Sequence, residues 1–314
     1  MTEIISVSII IPVYNAEKEI KSLLDPLLKE TTENFEIIVV NDGSTDDTAV
    51  VLATYNDPRL KVITQENQGV YAARNVALEA HLGRWVMFLD ADDSVTQDFI
   101  ATRLRVAEQS AADVVIFNAL RSSGDLTKAK PVHTKQPYNT LISGHFWVNH
   151  CVNYREWPHY LWLQIVSSEF IRKHDLKFQH GRSHKDILWT AELATHGATF
   201  LIRPEKDYIY HFNPASITNR SDYHDYRATS YIDVISSFLK LASRPENKSI
   251  KLALIRHSLT ECRHFFGLYK RRVLDKEGIR KQFRRRISLP TVARGIRSPR
   301  DFFFFIKLVR QLLG

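Results

Sequence analysis

Two cysteines in 314 residues, Cys151 and Cys262, give no disulfide framework and no metal-ligand spacing. A reducing cytoplasm is the compartment that fits such a chain. No apolar run reaches the roughly 18 residues that a membrane-spanning helix needs. The apolar stretch from Val7 has no basic segment before it and leads into Pro12-Val13-Tyr14-Asn15, which reads as a strand entering a loop rather than a secretion signal. No G-x-G-x-x-G follows that strand and no G-x-x-x-x-G-K-[ST] occurs, which argues against a dinucleotide-binding Rossmann enzyme and against a P-loop nucleotidase. A phosphatase with an aspartyl nucleophile needs its acid pair after the first strand, and here the acids follow the fourth. No internal repeat or low-complexity tract is evident.

What is present is a chain with 44% apolar residues, enough for a substantial core, and an uneven charge. Residues 263–314 hold 15 Lys/Arg against 3 Asp/Glu, so +12 of a total of +8 lies in the tail and the preceding 262 residues carry −4. A mildly acidic body with a strongly basic tail points to a polyanionic partner for the tail.

Strand-like runs recur at 7–13, 36–41, 60–64, 85–89 and 113–117, with helix-like segments near 17–30, 45–55, 69–81 and 96–110. This alternation predicts an α/β layer fold around a mostly parallel sheet flanked by helices. Ligands bind such sheets beyond the carboxyl ends of the strands. Three of those ends are polar: Pro12-Val13-Tyr14-Asn15, Asn41-Asp42-Gly43-Ser44 and Asp90-Ala91-Asp92-Asp93. Residues 121–140 read as a connection leading away from the sheet. Residues 141–215 are rich in Trp, His and Tyr. From about 225 the spacing of Ile232, Ile235, Phe238, Leu239 and Leu241 is helical.

The tetrapeptide at 90–93 carries the most chemical information. The run Trp85-Val86-Met87-Phe88-Leu89 delivers three carboxylates to a strand end. Like charges this close repel, and a divalent cation with hard oxygen ligands relieves that. The other reading is an acidic turn in which Asp93 and Ser94 cap the next helix.

Four motifs, in order, resemble the family 2 glycosyltransferases of the GT-A fold. They are Ile10-Ile11-Pro12-Val13-Tyr14-Asn15; Ile37 through Asp46; Glu66-Asn67-Gln68-Gly69 with Ala73-Arg74-Asn75; and Phe88 through Asp93. The resemblance covers about the first 95 residues. It implies an inverting, metal-dependent transfer of one sugar from a UDP-sugar to an acceptor hydroxyl. It implies a nucleotide-sugar site of Pro12, Val13, Tyr14, Asn15, Asp42, Gly69, Arg74, Asp90, Ala91 and Asp93. Within it, Asp42 reads the uracil ring, and Asp90 meets the ribose or reaches the metal through water. Asp92 is the principal ligand of Mn²⁺ or Mg²⁺, with Asp90 and His211 as further candidates. Asp93 faces the sugar or caps a helix.

The second half resembles, more loosely, bacterial enzymes that decorate lipopolysaccharide core, and among them the core glucuronosyltransferases. The stretches concerned are Arg155 to His159, His184 to Thr190 and Tyr208 to His211. The family's downstream acidic pair is matched by Lys185-Asp186, which implies Asp186 as general base. Lys185 stands where an acid is usual, and pairing with its neighbour would make Asp186 a poorer base. Trp157, His159, Trp162, Trp189 and Arg220 are the acceptor-side candidates. Two alternatives stay open: a glycan- or nucleotide-binding module without catalysis, and a transferase for capsule, O-antigen or exopolysaccharide. No Q-x-x-R-W motif supports a processive synthase.

The expected division is a catalytic domain at 1–224, made of a nucleotide half (1–95) and an acceptor half (96–224), followed by a helical basic region at 225–314. Lys270-Arg271-Arg272, Arg284-Arg285-Arg286 and the apolar run Phe302 to Val309 predict a helix at a membrane interface, drawn by anionic lipid. The expected location is cytoplasmic, peripheral on the inner face of the plasma membrane, with a lipid-linked glycan as acceptor. No recognition motif supports nucleic acid as the partner.

Overall fold

The computed structural model describes residues 4–31, 34–122, 124, 126–181, 183–211 and 223–313. The chain divides into two compact units. The first comprises Met1–Gly144, Pro158–His180 and His196–Phe212, and the second His145–Trp157, Gly181–Thr195 and Asn213–Gly314.

The first unit is built on one sheet. Strands β1 (Val7–Val13) and β2 (Phe35–Asp42) are buried at every position, as expected where helices cover both faces of a parallel sheet. With β3 (Leu60–Gln65) and β4 (Trp85–Phe88) they form a parallel half in the order β3-β2-β1-β4. Helices α1 (Ile20–Lys29), α2 (Thr48–Ala53) and α3 (Val70–Ala80) link these strands. Pro12 sits inside a central strand without cost, because β4 pairs with β1 only as far as Ile10 opposite Phe88.

Beyond β4 come the short β5 (Ser94–Val95), α4 (Phe99–Gln109), β6 (Val114–Ser122), β7 (Lys130–Pro131), β8 (Leu141–Ser143), β9 (Gln164–Ser167), α6 (Ser168–Lys173) and β10 (Thr199–His211). The sheet continues β4-β9-β6-β10-β5. Strand β9 runs antiparallel to both neighbours, whereas β6 and β10 are parallel to each other. The six strands β1 to β4, β6 and β10 share one direction, as expected, and the four short strands β5, β7, β8 and β9 run against them. Residues 121–140 do not lead away, which corrects the expectation for them. Strand β6 extends to Ser122, β7 doubles back on it, and the Asn139 N–H donates to the Ile202 carbonyl at 2.9 Å.

The second unit is helical: α5 (Gly144–Tyr154), α7 (Lys185–Thr195), α8 (His224–Ser243), α9 (Lys251–Arg271), α10 (Lys276–Arg286), α11 (Leu289–Ala293) and α12 (Pro299–Leu313). Ile232 and Ile235 of α8, Phe265 of α9, Phe283 of α10, Val292 of α11 and Leu308 and Leu312 of α12 share one buried core. Packing therefore groups 145–157 and 181–195 with the C-terminal helices, whereas the expected boundary at 224 followed chain order. Among the described residues no helix is long and apolar enough to cross a membrane.

Candidate active site

Parallel pairing brings the ends of β1, β2, β3 and β4 to one edge of the sheet, and their loops are laced together there. Asn15, held at φ 52°, accepts from the Thr45 N–H at 2.8 Å, and its own N–H donates to Ser44 Oγ at 3.0 Å. The Ala16 N–H donates to Thr48 Oγ1 at 2.8 Å. Val13 is buried, whereas Tyr14 is 44% exposed and free to meet a ligand.

Asp42 is buried at the end of β2 and shapes the next loop. Its Oδ1 accepts from Gln65 Nε2 at 2.7 Å and from the Gln68 N–H at 2.8 Å, and its Oδ2 from the Gly69 N–H at 2.8 Å. Three of the roughly four positions a carboxylate offers are thus taken, and a nucleobase could use only the remainder. Gly43 follows with φ 70°, and a Cβ there would meet the Asn67 nitrogen at 2.7 Å. Only glycine allows the two loops to approach so closely.

The loop 90–93 separates its carboxylates. Asp90 accepts from Arg74 Nη2 at 2.7 Å. Arg74 is not a solvated helix charge: it is 5% exposed, lies over the rings of Tyr71 and Phe178 at 5.4 and 5.9 Å, and its Nε has no partner among the described residues. Asn75 holds Phe178 in place by exchanging two hydrogen bonds with its backbone. Asp92 reaches solvent at the loop surface, yet the protein crowding it, and then the charge of Asp90, push its carboxyl up. Asp93 is 3% exposed; burial first, then Asp90, raise it to about 8. Its oxygens take the Tyr208 hydroxyl at 2.8 Å and the His211 N–H at 3.0 Å. Asp93 therefore pins β10 to the acidic loop. It neither faces open space nor caps α4, whose N-cap residue is Asp98, which corrects both expectations for it.

Among the described residues no group of three or more His, Cys, Asp or Glu side chains is arranged to hold a metal ion alone. The donors present do fit a hard cation that shares its sphere with substrate. Asp92 and Asp90 offer oxygens, burial and then the charge of Asp90 push Asp92 up, and one or two carboxylates plus phosphates is the usual arrangement for Mg²⁺-like ions. His211 is beside this cluster, with Nε2 at 3.3 Å from Ser94 Oγ.

Residues 8–161 match the model of glycosyl transferase family 2. That match takes in β1 from its second residue, β2 to β4 and the whole acidic loop. The chain carries a family 2 glycosyltransferase domain. It is 31% identical over 216 residues to YibD of Escherichia coli K12, named an uncharacterized glycosyltransferase, with 67% of this chain and 62% of that protein covered. The chain thus spans about three fifths of that relative's length. The fold is shared with TarS of S. aureus, also solved in complex with UDP, at a TM-score of 0.68 and 20% identity over 98% of this chain and 89% of that one. It is shared too with the mannosyltransferase PcManGT of Pyrobaculum calidifontis, solved with GDP-Man and Mn²⁺, at a TM-score of 0.57 and 17% identity over 99% and 86%. The fold class is GT-A, with a helical C-terminal region.

Of the acceptor-side candidates in this chain, two are deeply buried. Trp162 is 4% exposed and stacks on Tyr208 at 4.6 Å and on Tyr160 at 4.9 Å, while His159 stacks on Tyr160 at 4.6 Å. Trp189 is 1% exposed, a core residue of α7. Burial leaves these two indoles almost no surface for an acceptor, against the expectation that they lie on its side. Trp157 packs against His257, Trp147 and Phe238 in the second unit. Asp186 occupies the first turn of α7, half-buried. Arg220 lies outside the described residues.

Sequence reasoning quoted Tyr208 only within a stretch of resemblance and missed its bond to Asp93, and it missed the buried pair of Arg103 and Asp207. Arg103 is fully buried, bonds both Asp207 oxygens at 2.7 and 2.8 Å, and donates to the Trp162 carbonyl. Nothing local in the sequence names the partners of these residues.

Proposed function

We propose that this glycosyltransferase moves one sugar, with inversion, from a UDP-sugar to a lipid-linked glycan, and that lipopolysaccharide core is the acceptor class. The carrying observation is the acidic loop 90–93 at the carboxyl edge of the parallel half-sheet, bound by Arg74. TarS with UDP and PcManGT with GDP-Man support a nucleotide-sugar donor. UDP is preferred to GDP on the resemblance of the first 95 residues to UDP-sugar enzymes.

The reaction forms a bond from the acceptor oxygen to the anomeric carbon as the diphosphate leaves. Asp92, with Asp90, would hold a divalent ion, which when bound supplies charge stabilisation for the leaving diphosphate. Arg74 keeps Asp90 oriented. The Asp42-shaped loop and Tyr14 form the nucleoside side. Asp186 is the base that takes the acceptor proton, assigned by resemblance. A module without catalysis draws its support from Lys185 standing in place of an acid, and the Lys185 ammonium donates to Asp233 at 2.8 Å. Transfer to capsule, O-antigen or exopolysaccharide uses the same chemistry and remains the alternative acceptor class.

The basic helices would place the enzyme on the inner face of the plasma membrane. Only part of the apolar run 302–309 is available for this. Leu308 is fully buried and Phe304 and Phe305 lean on the core, whereas Phe302 and Phe303 are 50% and 64% exposed. Arg300, Lys307 and Arg310 are exposed at positions that recur with Phe303 on one helical face.

Calorimetry of UDP binding with and without Mn²⁺, on the wild type and Asp92→Ala, tests the donor site. Tighter binding with Mn²⁺ in the wild type, lost in a folded Asp92→Ala protein, is expected. Equal affinity in all four measurements would remove the metal role and, if absent altogether, the UDP reading.

A further inference from the structure

Lys185 is the first residue of α7, and its side chain is 1% exposed. A buried ammonium beside a candidate base is costly unless something takes its charge. Asp233 of α8 does so at 2.8 Å through Oδ2. The other oxygen of the same carboxylate receives Arg286 Nη1, from the last residue of α10, at 2.6 Å. One carboxylate therefore ties three helices of the second unit together.

Gly181 completes the arrangement. Its φ is 150°, and a Cβ there would collide with Cε of Lys185. The chain passes over the lysine stem in a backbone conformation that residues with a side chain rarely adopt. Lys185 shares its buried helix face with Leu188 and Trp189, three and four residues on, both 1% exposed. Of the eleven residues of α7, only Asp186 and Glu192 are not buried. Successive helix residues point about 100° apart. Seating Lys185 on Asp233 thus anchors the first turn of α7, the turn that carries the half-buried Asp186.

We propose that Asp233 and Arg286 are positioning residues for Asp186, acting through Lys185. This rests on the reading of Asp186 as the base. It also gives the basic C-terminal helices a part in catalysis besides attachment, because α10 supplies Arg286.

The test uses the full chain with Asp233→Asn, Arg286→Gln, Asp186→Asn and the double variant Asp186→Asn/Asp233→Asn. Arg286 is one third exposed, so its replacement spares the fold if Asp233→Asn does not. The first readout is hydrogen exchange over residues 185–190. Asp233→Asn and Arg286→Gln should raise it about tenfold or more there while β1 to β4 stay protected, since local opening free energies differ between segments. Unchanged exchange in both folded variants would overturn the proposal.

The second readout is UDP release from the UDP-sugar that the wild type turns over. Each single variant at 233 or 286 should lower kcat about 10- to 100-fold with KM unchanged, the scale of loss from misplacing a reacting group. The double variant should be no slower than Asp186→Asn alone. Independent, multiplying losses would assign Asp233 to stability only, and full activity of Asp186→Asn would remove the base reading itself while leaving the exchange result to judge the anchor.

Discussion

Arg74 Nη2 donates to Asp90 Oδ1 at 2.7 Å, joining α3 to the acidic loop 90–93. Of the three carboxylates at 90–93 only Asp90 bonds that buried guanidinium, which lies over the rings of Tyr71 and Phe178.

Arg74→Met keeps the stem packing and removes the charge. The variant should unfold at a lower temperature than the wild type and regain more of that loss when Mn²⁺ is added. A thermal melt of both proteins with and without the ion checks this. An equal Mn²⁺ shift in both would show that Arg74 does not share the work of neutralising the loop.

Asp186→Asn preserves shape and removes proton acceptance. UDP-sugar binding should persist while transfer falls by about 10²–10⁴-fold, the usual share of general acid–base catalysis. Rates within a few-fold of wild type would leave Asp186 as a favourable charge at the N-terminus of α7 and nothing more.

A pH effect follows from α9. Burial alone would raise the Glu261 carboxyl, but hydrogen bonds from His257 and His264 outweigh it and hold it well below the ordinary range. Its bond to Glu261 raises His264 above 6.5, against burial. A histidine raised by folding stabilises fully below its unfolded value and loses that contribution as pH climbs through the folded one. Stability should therefore fall from about pH 6.5 upward. Asp93, raised to about 8, loses its own contribution over a lower window, from the ordinary carboxylate range up to about 8. Urea unfolding from pH 6 to 9 isolates the histidine part as the difference between the wild type and Glu261→Gln, which should show the flatter profile. Parallel profiles would mean that His264 contributes nothing.

For the tail, the pair Phe302→Ser and Phe303→Ser alters only exposed side chains. Flotation with phosphatidylglycerol vesicles should recover the wild type at low salt and much less of the variant. High salt should weaken the cationic share, since exposed charges are screened beyond about 8 Å at physiological ionic strength. Wild-type protein that stays unbound would remove the membrane location, and a variant that floats equally well would move the docking face elsewhere.

Much of the first unit was legible in the residues. Strands β1, β2 and β4 are short continuous apolar runs because both faces are covered, and their polar ends mark one edge of the sheet. Strand β9 was not legible, since four residues between β4 and β6 take their direction from the gap they fill. The roles within Asp90-Ala91-Asp92-Asp93 were not legible either. Asp93 is separated from Tyr208 by 115 positions, and local sequence cannot say which of two adjacent acids will be covered.

Lys185 shows the same division. By itself the sequence determined a lysine beside Asp186, a chain rich in paired acids at strand ends, and a tail of one charge sign, all properties of neighbours along the backbone. Which oxygen receives the lysine, which of the three carboxylates stays open, and which phenylalanines of the tail remain exposed were decided only by tertiary structure. Burial penalises any charge left without a partner, and the partner that removes the penalty, Asp233 at 48 positions from Lys185, arrives only when the helices meet.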